Sequence, residues 1–321
     1  MTTDDGPIFL AGLDRSGIGL LGELLEAHPN IAITRRTNFW SFYYERFGDL
    51  SQPANLDRCL DAMLRYKRVA VLEPNRERLR TEFLAGEPIY ARLFALLQEQ
   101  NAQRLGKSRW GDKSLNSEQY VDVILHAYPA ATMIHVVRDP RDRYASQLTH
   151  RGVGRGGVGA GAAMWLWSAR LGERSQRRYS DRYRVVRYES LATDPVGFIA
   201  SILEFIGEAQ VPGLVRGDDD TVEESPADGA VRSSRLVGTA SVGRFRTVLS
   251  DRDVMFLQVI LGPAMKRFGY KIDPVEMSGP DRVRFVVWDI PLNLARMVAW
   301  RAGMAARQNL GRRPSARRMT V

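Results

Sequence analysis

The sequence has one cysteine, four histidines, five lysines among its 46 basic residues, and no apolar run long enough to span a bilayer. Cys59 alone makes neither an intramolecular disulfide nor a multi-cysteine metal site, and His28, His126, His135 and His150 form no ligand-spaced pair. A disulfide-stapled scaffold is excluded, no metal is expected, and the cysteine usage fits a reducing cytosol. Met1 to Gly6 carries two aspartates and neither Lys nor Arg, and the first apolar run, Ile8 to Ala11, is too short for a secretory leader. The expected location is therefore cytoplasmic.

What is present is a chain of 321 residues, 44% hydrophobic and 26% charged, a composition that packs a core and excludes disorder throughout. The net charge of +9 is uneven: residues 281 to 321 hold nine Arg against Asp281 and Asp289, leaving the body close to neutral. A nucleic-acid partner is therefore not expected. No repeat of solenoid period is visible.

Pro7 to Gly12 reads as a short buried strand, followed by a Gly-containing loop and a helix carrying Leu20, Leu21, Leu24 and Leu25, which stops near His28-Pro29. Ile31 to Ile33 reads as a second strand. Leu56 to Leu105 has helical spacing, broken at Pro74 and at Gly86-Glu87-Pro88, and forms a helical insertion. Ser117 to Tyr128 (helix), Thr132 to Val137 (strand) and the helix from Asp142 form a later unit, and Tyr183 to Arg187 followed by Pro195 to Ile206 repeats the order. Alternation of this kind predicts an α/β fold with a parallel sheet flanked by helices. His150 to Gly161, with six glycines, is expected to be a loop before a helix over Met164 to Tyr179, and Arg216 to Ser233 an acidic solvated loop.

Two segments carry chemistry. Gly12-Leu13-Asp14-Arg15-Ser16-Gly17-Ile18-Gly19 lies where strand meets helix, so backbone amides and the helix dipole converge on an anion, and Arg15 adds a planar fork for oxyanions. Gly12 and Gly17 have the spacing of a P-loop, but Ile18 and Gly19 stand where its Lys and metal-holding hydroxyl belong, which argues against magnesium-dependent phosphoryl transfer. An ordinary tight turn with a surface Arg is the alternative for this loop alone. In Val136-Val137-Arg138-Asp139-Pro140-Arg141-Asp142-Arg143-Tyr144-Ala145-Ser146, a strand delivers Arg138 to its carboxyl end and Ser146 follows two helical turns later, a pair suited to phosphate. Helix capping by Asp139 or Asp142, with Arg138 merely ion-paired, is the alternative there.

Together these segments resemble the sulfotransferase superfamily, in particular the bacterial branch related to tyrosylprotein sulfotransferases. The family pattern G-x-P-R-S-G-T-T-x-L is met at Gly12, Arg15, Ser16, Gly17 and Leu21. Further matches are W-G-D-K-S (Trp110 to Ser114), V-V-R-Y-E-S-L (Val185 to Leu191), S-V-G-R-F (Ser241 to Phe245) and R-F-G-Y (Arg267 to Tyr270), covering residues 7 to 270. The resemblance implies a P-loop-type sheet and 3′-phosphoadenosine 5′-phosphosulfate (PAPS) as sulfuryl donor. It places Asp14, Arg15, Ser16, Gly17, Ile18 and Gly19 around the phosphosulfate, Arg138 and Ser146 on the 3′-phosphate, and Tyr188, Ser241 and Arg244 on the nucleotide.

Two departures stand out. Ile18 and Gly19 replace the hydroxyl pair that follows the loop glycine, and Thr34-Arg35-Arg36-Thr37-Asn38 lacks the catalytic Glu of the tyrosylprotein enzymes. Arg15 and Lys113 are the expected catalytic cations. Asp112 is the favoured base, with Asp14 and Glu73 as further candidates, while Arg35, Arg36 and Trp40 are expected to bind substrate. The expected reaction moves a sulfuryl group to a hydroxyl of a carbohydrate, lipid, peptide or small metabolite. A non-catalytic nucleotide-binding relative and a nucleotide-dependent phosphotransferase are the alternatives.

The expected organisation is a sulfotransferase-like domain over residues 1–275, with its helical insertion at about 40–107, and a basic amphipathic extension over 276–321. The extension mixes Phe285, Trp288, Leu292 and Trp300 with Arg282, Arg284, Arg296 and Arg301, and Arg312 to Arg318 is strongly basic. It reads either as a helix lying peripherally on the inner membrane face or as a helix docked on the body or a second subunit.

Overall fold

A computed structural model describes residues 6–151, 156–214 and 238–311. The acidic run at 216–233 and the basic run at 312–318 lie outside the described residues. Five strands, β1 (Ile8–Gly12), β2 (Ile31–Arg35), β3 (Arg109–Lys113), β4 (Thr132–Val137) and β5 (Tyr183–Arg187), pair in parallel in the order β2-β3-β1-β4-β5. Helix α1 (Ile18–Glu26) links β1 to β2. The insertion between β2 and β3 consists of α2 (Phe39–Phe42), α3 (Pro53–Arg65), α4 (Lys67–Ala70), α5 (Arg76–Leu84) and α6 (Tyr90–Arg104). After β3 come a 3-10 turn, Ser117–Tyr120, and α7 (Val121–Ala127). Then α8 (Pro140–Arg151) and α9 (Gly157–Arg178) link β4 to β5, followed by α10 (Tyr188–Thr193) and α11 (Pro195–Ile206). The chain closes with α12 (Phe245–Val248), α13 (Asp251–Arg267), α14 (Gly279–Arg284), a π-helical turn Phe285–Asp289, and α15 (Ile290–Gly311).

Helices cover both faces because strand residues alternate between them. Ile8, Leu10, Ile31, Ile33, Ile134 and Val136 pack against α1 and α11, while Phe9, Ala32, Trp110 and Met133 pack against the insertion. A third core joins α8, α9 and α13 around Trp165, Phe256 and Leu257. Each such side chain buried fully contributes about 1.5–3 kcal/mol.

The structure adds one strand to the sequence reading and corrects two of its expectations. Arg109–Lys113 is a strand, and an internal one, although R-W-G-D-K has no apolar run. Two of its three charges are answered in place: Arg109 donates to the carbonyls of Gly6 (2.7 Å) and Ile206 (2.6 Å) and pairs with Glu208, and Asp112 accepts from two threonines. The segment from Ser117 to Tyr128 begins as a 3-10 turn rather than as one helix. The glycine-rich stretch is not all loop, since α8 runs to Arg151 and α9 starts at Gly157.

The glycines of α9 instead serve close approach. A β-carbon at Gly159 would overlap the backbone of Asn293 on α15, and one at Gly161 would press on the Tyr144 ring. Gly159→Val is therefore expected to lever α15 off α9 and cost about 1–3 kcal/mol of unfolding free energy. Urea denaturation followed by circular dichroism measures this, and an unchanged midpoint would contradict it.

Candidate active site

Connections from β1 and β4 leave in opposite directions, β1 toward β2 and β4 toward β5, so a crevice opens between the carboxyl ends of these neighbouring strands. β1 ends at Gly12 with φ 138°, where a β-carbon would collide with the Val136 carbonyl. The loop beyond it turns through left-handed residues at Arg15 (φ 71°) and Gly17 (φ 92°), and the Tyr188 ring occupies the space a side chain at Gly17 would need. For a non-glycine such as Arg15 this conformation costs roughly 1–2 kcal/mol. α1 then begins at Ile18 with no side-chain cap, leaving its first-turn amides for an anion.

The second motif closes over this loop. Arg138 donates to the Arg15 carbonyl (3.1 Å) and to the Ser241 carbonyl (2.6 Å), and its guanidinium lies 4.6 Å from the centre of the Tyr188 ring. Its Nε is buried and without a partner. Trp165 Nε1 donates to the Arg138 carbonyl (2.8 Å), fixing the strand end. Ser146 Oγ accepts from Arg15 Nε at 3.0 Å, and the hydroxyls of Tyr188 and Ser241 are hydrogen-bonded at 2.6 Å.

The Ser241-to-Phe245 motif is held by Asp142, which accepts from the amides of Gly243 (2.7 Å) and Phe245 (2.9 Å). Burial raises the Asp142 carboxyl against the lowering effect of those two bonds. Arg244 is exposed, and its side chain has no hydrogen bond or ion pair among the described residues. Arg15, Ser16, Gly17, Arg138, Ser146, Tyr188 and Ser241 thus meet in one crevice from segments far apart in the chain.

Lys113, at the end of β3, reaches the start of α1. Its Nζ lies 3.9 Å from where a β-carbon of residue 19 would stand, an ordinary contact distance, so the ammonium sits beside the position of the family's hydroxyl. Lys113 is buried, and its side chain has no hydrogen bond or ion pair among the described residues. Burial first, then Arg36 and Arg35, push its pKa down. Ile18 turns away and packs in the core.

The carboxylates divide by strand alternation. Asp112, next to Lys113, points to the other face and is enclosed, accepting from Thr34 Oγ1 (2.9 Å) and Thr37 Oγ1 (2.7 Å). Burial raises its pKa, and Oδ2 has no partner. Asp112 therefore ties β2 to β3 with no exposed oxygen for an acceptor. Glu73 is exposed and lies beside Arg104, near the amino end of β3 and so at the sheet edge opposite the crevice. Asp14 is partly exposed in the loop itself, 3.6 Å from Arg36.

Arg35 pairs with Glu23 (3.2 Å) and Glu26 of α1, so its charge is already answered. Trp40 is a core residue, packed edge-on against Phe39, Phe94 and Tyr128 rather than set at an open surface. Among the described residues no group of three His, Cys, Asp or Glu is placed to hold a metal ion.

Sequence reasoning assigned no role to Arg143. It is 1% exposed, and among the described residues it has no carboxylate partner and donates only to the carbonyls of Asp14 (3.2 Å) and Gly161 (3.4 Å), with Nε unpaired. This buried cation braces the loop from behind and adds positive charge beneath it. The one signal for it is the spacing of three arginines through R-D-P-R-D-R.

The parallel α/β sheet thus carries a cationic crevice lined by free amides at its switch point, chemistry suited to an anionic group. A family model described as the sulfotransferase family matches residues 7–212, and the chain belongs to that family. Carbohydrate sulfotransferase 3 of Tetronarce californica is 27% identical over 105 residues, 33% of this chain and 24% of its own length, so the match spans about a quarter of that relative. The sulfotransferase domain of the Synechococcus PCC 7002 olefin synthase superposes with a TM-score of 0.55 at 21% identity, covering 83% of this chain and 95% of that one. The sulfotransferase domain from the curacin biosynthetic pathway gives 0.49 at 16% identity, covering 84% and 99%.

Burial draws the Arg143 guanidinium pKa down from its usual range to about 10, with Asp14 opposing. Folding then disfavours the bound proton, so this residue's contribution to stability is unfavourable at neutral pH and rises as pH passes about 10. Arg143→Met is expected to remove this pH dependence and to leave the unfolding free energy at pH 7 unchanged or about 1–2 kcal/mol higher. Denaturant titrations across pH measure it; a large loss of stability at neutral pH would refute it.

Proposed function

We propose that this sulfotransferase takes its sulfuryl group from PAPS and passes it to a hydroxyl acceptor. The observation that carries the reading is the convergence of Arg15, Ser146, Arg138 and Tyr188 with the uncapped start of α1 in one crevice. Such a donor bears two separate anionic groups about an adenosine, and the residues fit both. The α1 amides, Arg15 and Lys113 suit the phosphosulfate. Ser146, the Nε of Arg138 and the exposed Arg244 suit the 3′-phosphate, and Tyr188 and Ser241 flank the nucleotide. When bound, the donor supplies a sulfuryl group on a phosphate leaving group.

Lys113 and Arg15 hold positive charge where the leaving oxygens gain negative charge. Lys113 thereby replaces the hydroxyls absent at Ile18 and Gly19, each of which would contribute about 1.5–3 kcal/mol to a charged acceptor. Asp14, the carboxylate exposed in the loop, accepts the acceptor's proton, with Arg36 orienting it. Asp112 positions Lys113 by locking the ends of β2 and β3. Arg143 supports the loop and its field without touching substrate.

Labelled PAPS and an acceptor panel test the reading. Arg15→Ala and Lys113→Ala are expected to lower turnover about 10²–10³-fold while weakening 3′-phosphoadenosine 5′-phosphate binding much less. Arg138→Ala and Ser146→Ala should instead weaken that binding about tenfold or more. Asp14→Asn should cost about 10²-fold or more in turnover, and Asp112→Asn less. Equal losses of turnover and affinity at Arg15 would make it merely structural. Wild-type affinity in both the Arg138 and Ser146 variants would remove the nucleotide assignment.

A further inference from the structure

The two readings of the C-terminal extension apply to opposite sides of the same helix. Its inner side is docked. Phe285 is buried, Asn293 Oδ1 accepts from the Gly159 amide at 3.3 Å, and Trp300 meets Trp167 edge-on at 6.0 Å. Its outer side is apolar and uncovered: Val286, Val287, Trp288, Leu292, Leu294 and Val298 are all exposed, Trp288 at 70% and Val298 at 68%. A soluble surface helix ordinarily turns polar residues outward, and contiguous exposed apolar surface marks a contact.

The charge around that strip that is not ion-paired among the described residues is of one sign. Arg282, Arg284 and Arg301 are exposed and their side chains have no hydrogen bond or ion pair among the described residues. The nearby acids are engaged elsewhere, Asp281 (3.9 Å) and Asp289 (3.4 Å) both lying beside Arg252 of α13. From Ile290 to Val321 the sequence holds seven Arg and no Asp or Glu.

We infer that the outer face of α14 and α15 is a docking surface for an anionic lipid bilayer. Valines, leucines and a tryptophan enter the headgroup and acyl boundary, and the unpaired arginines meet lipid phosphates. No helix among the described residues is long and apolar enough to cross a membrane, so the contact is peripheral. A second copy of the chain fits less well, because a two-fold contact brings the same patch against itself and sets arginine against arginine.

The test is co-sedimentation of the full chain with vesicles of phosphatidylcholine alone and of phosphatidylcholine mixed with phosphatidylglycerol. Binding is expected only to the mixed vesicles and is expected to weaken with salt. The exposed double substitution Trp288→Ser with Val298→Ser, and separately Arg284→Glu with Arg301→Glu, should each weaken binding about tenfold or more with the near-UV circular dichroism intact. Wild type that ignores mixed vesicles at low salt, or variants that bind as tightly as wild type, would overturn the inference. So would a wild-type dimer in sedimentation equilibrium that the apolar double variant converts to monomer without loss of vesicle binding.

Discussion

One guanidinium joins the parts of the crevice. Arg138 donates to a carbonyl of the β1–α1 loop and to a carbonyl before α12, and its plane rests on the ring at the start of α10. A planar fork of fixed donors can do this where a lysine ammonium could not. Because the Tyr188 ring also fills the space beside Gly17, the same contact holds the loop in its left-handed turn. Loop, strand end and nucleotide-side segment are thereby one unit, and the strain at Arg15 is held in place by its neighbours rather than relieved.

Around this point the acids of the second motif work as scaffolding. Asp139 binds Arg141 through both oxygens, at 2.7 Å and 3.0 Å, and Asp142 holds the amides of Gly243 and Phe245. Glu189 accepts from the Asp139 amide (2.8 Å) and from the Tyr270 hydroxyl (3.1 Å), which explains why V-V-R-Y-E-S-L and R-F-G-Y fold against R-D-P-R-D. Buried acids satisfied in this way leave the crevice itself to cations: Arg15, Lys113 and the braced Arg143. Charge separation of that kind is costly to fold, since Lys113 and Arg143 are buried without an ion-pair partner among the described residues, and it raises the positive potential an anionic ligand meets.

The extension follows a related logic of two faces. Glycines at 157 and 159 let α15 lie directly on the start of α9, and Gly161, one turn further, offers its carbonyl to Arg143. The docked side of the extension is therefore continuous with the packing that supports the loop, while its outward side is free for a surface of opposite charge.

Much of this was legible in the chain. Hydrophobic runs of strand length and the strand-loop-helix order gave the parallel α/β class, because both rest on local periodicity. Glycines at 12 and 17 with Arg15 between them, and Arg138 spaced two turns from Ser146, marked the crevice, since those constraints act over a few residues. The internal strand β3 was hidden: three of its five residues are charged, and their partners on β2, α11 and the segment before β1 become neighbours only on folding. Long-range packing also decided that Asp112 is enclosed by Thr34 and Thr37, that Trp40 is core, that the α9 glycines mark close approach, and that the Lys113 ammonium lies beside Gly19. A side chain's chemical type is local, but its exposure and its counter-charges belong to segments distant in sequence, and these the tertiary structure alone determined.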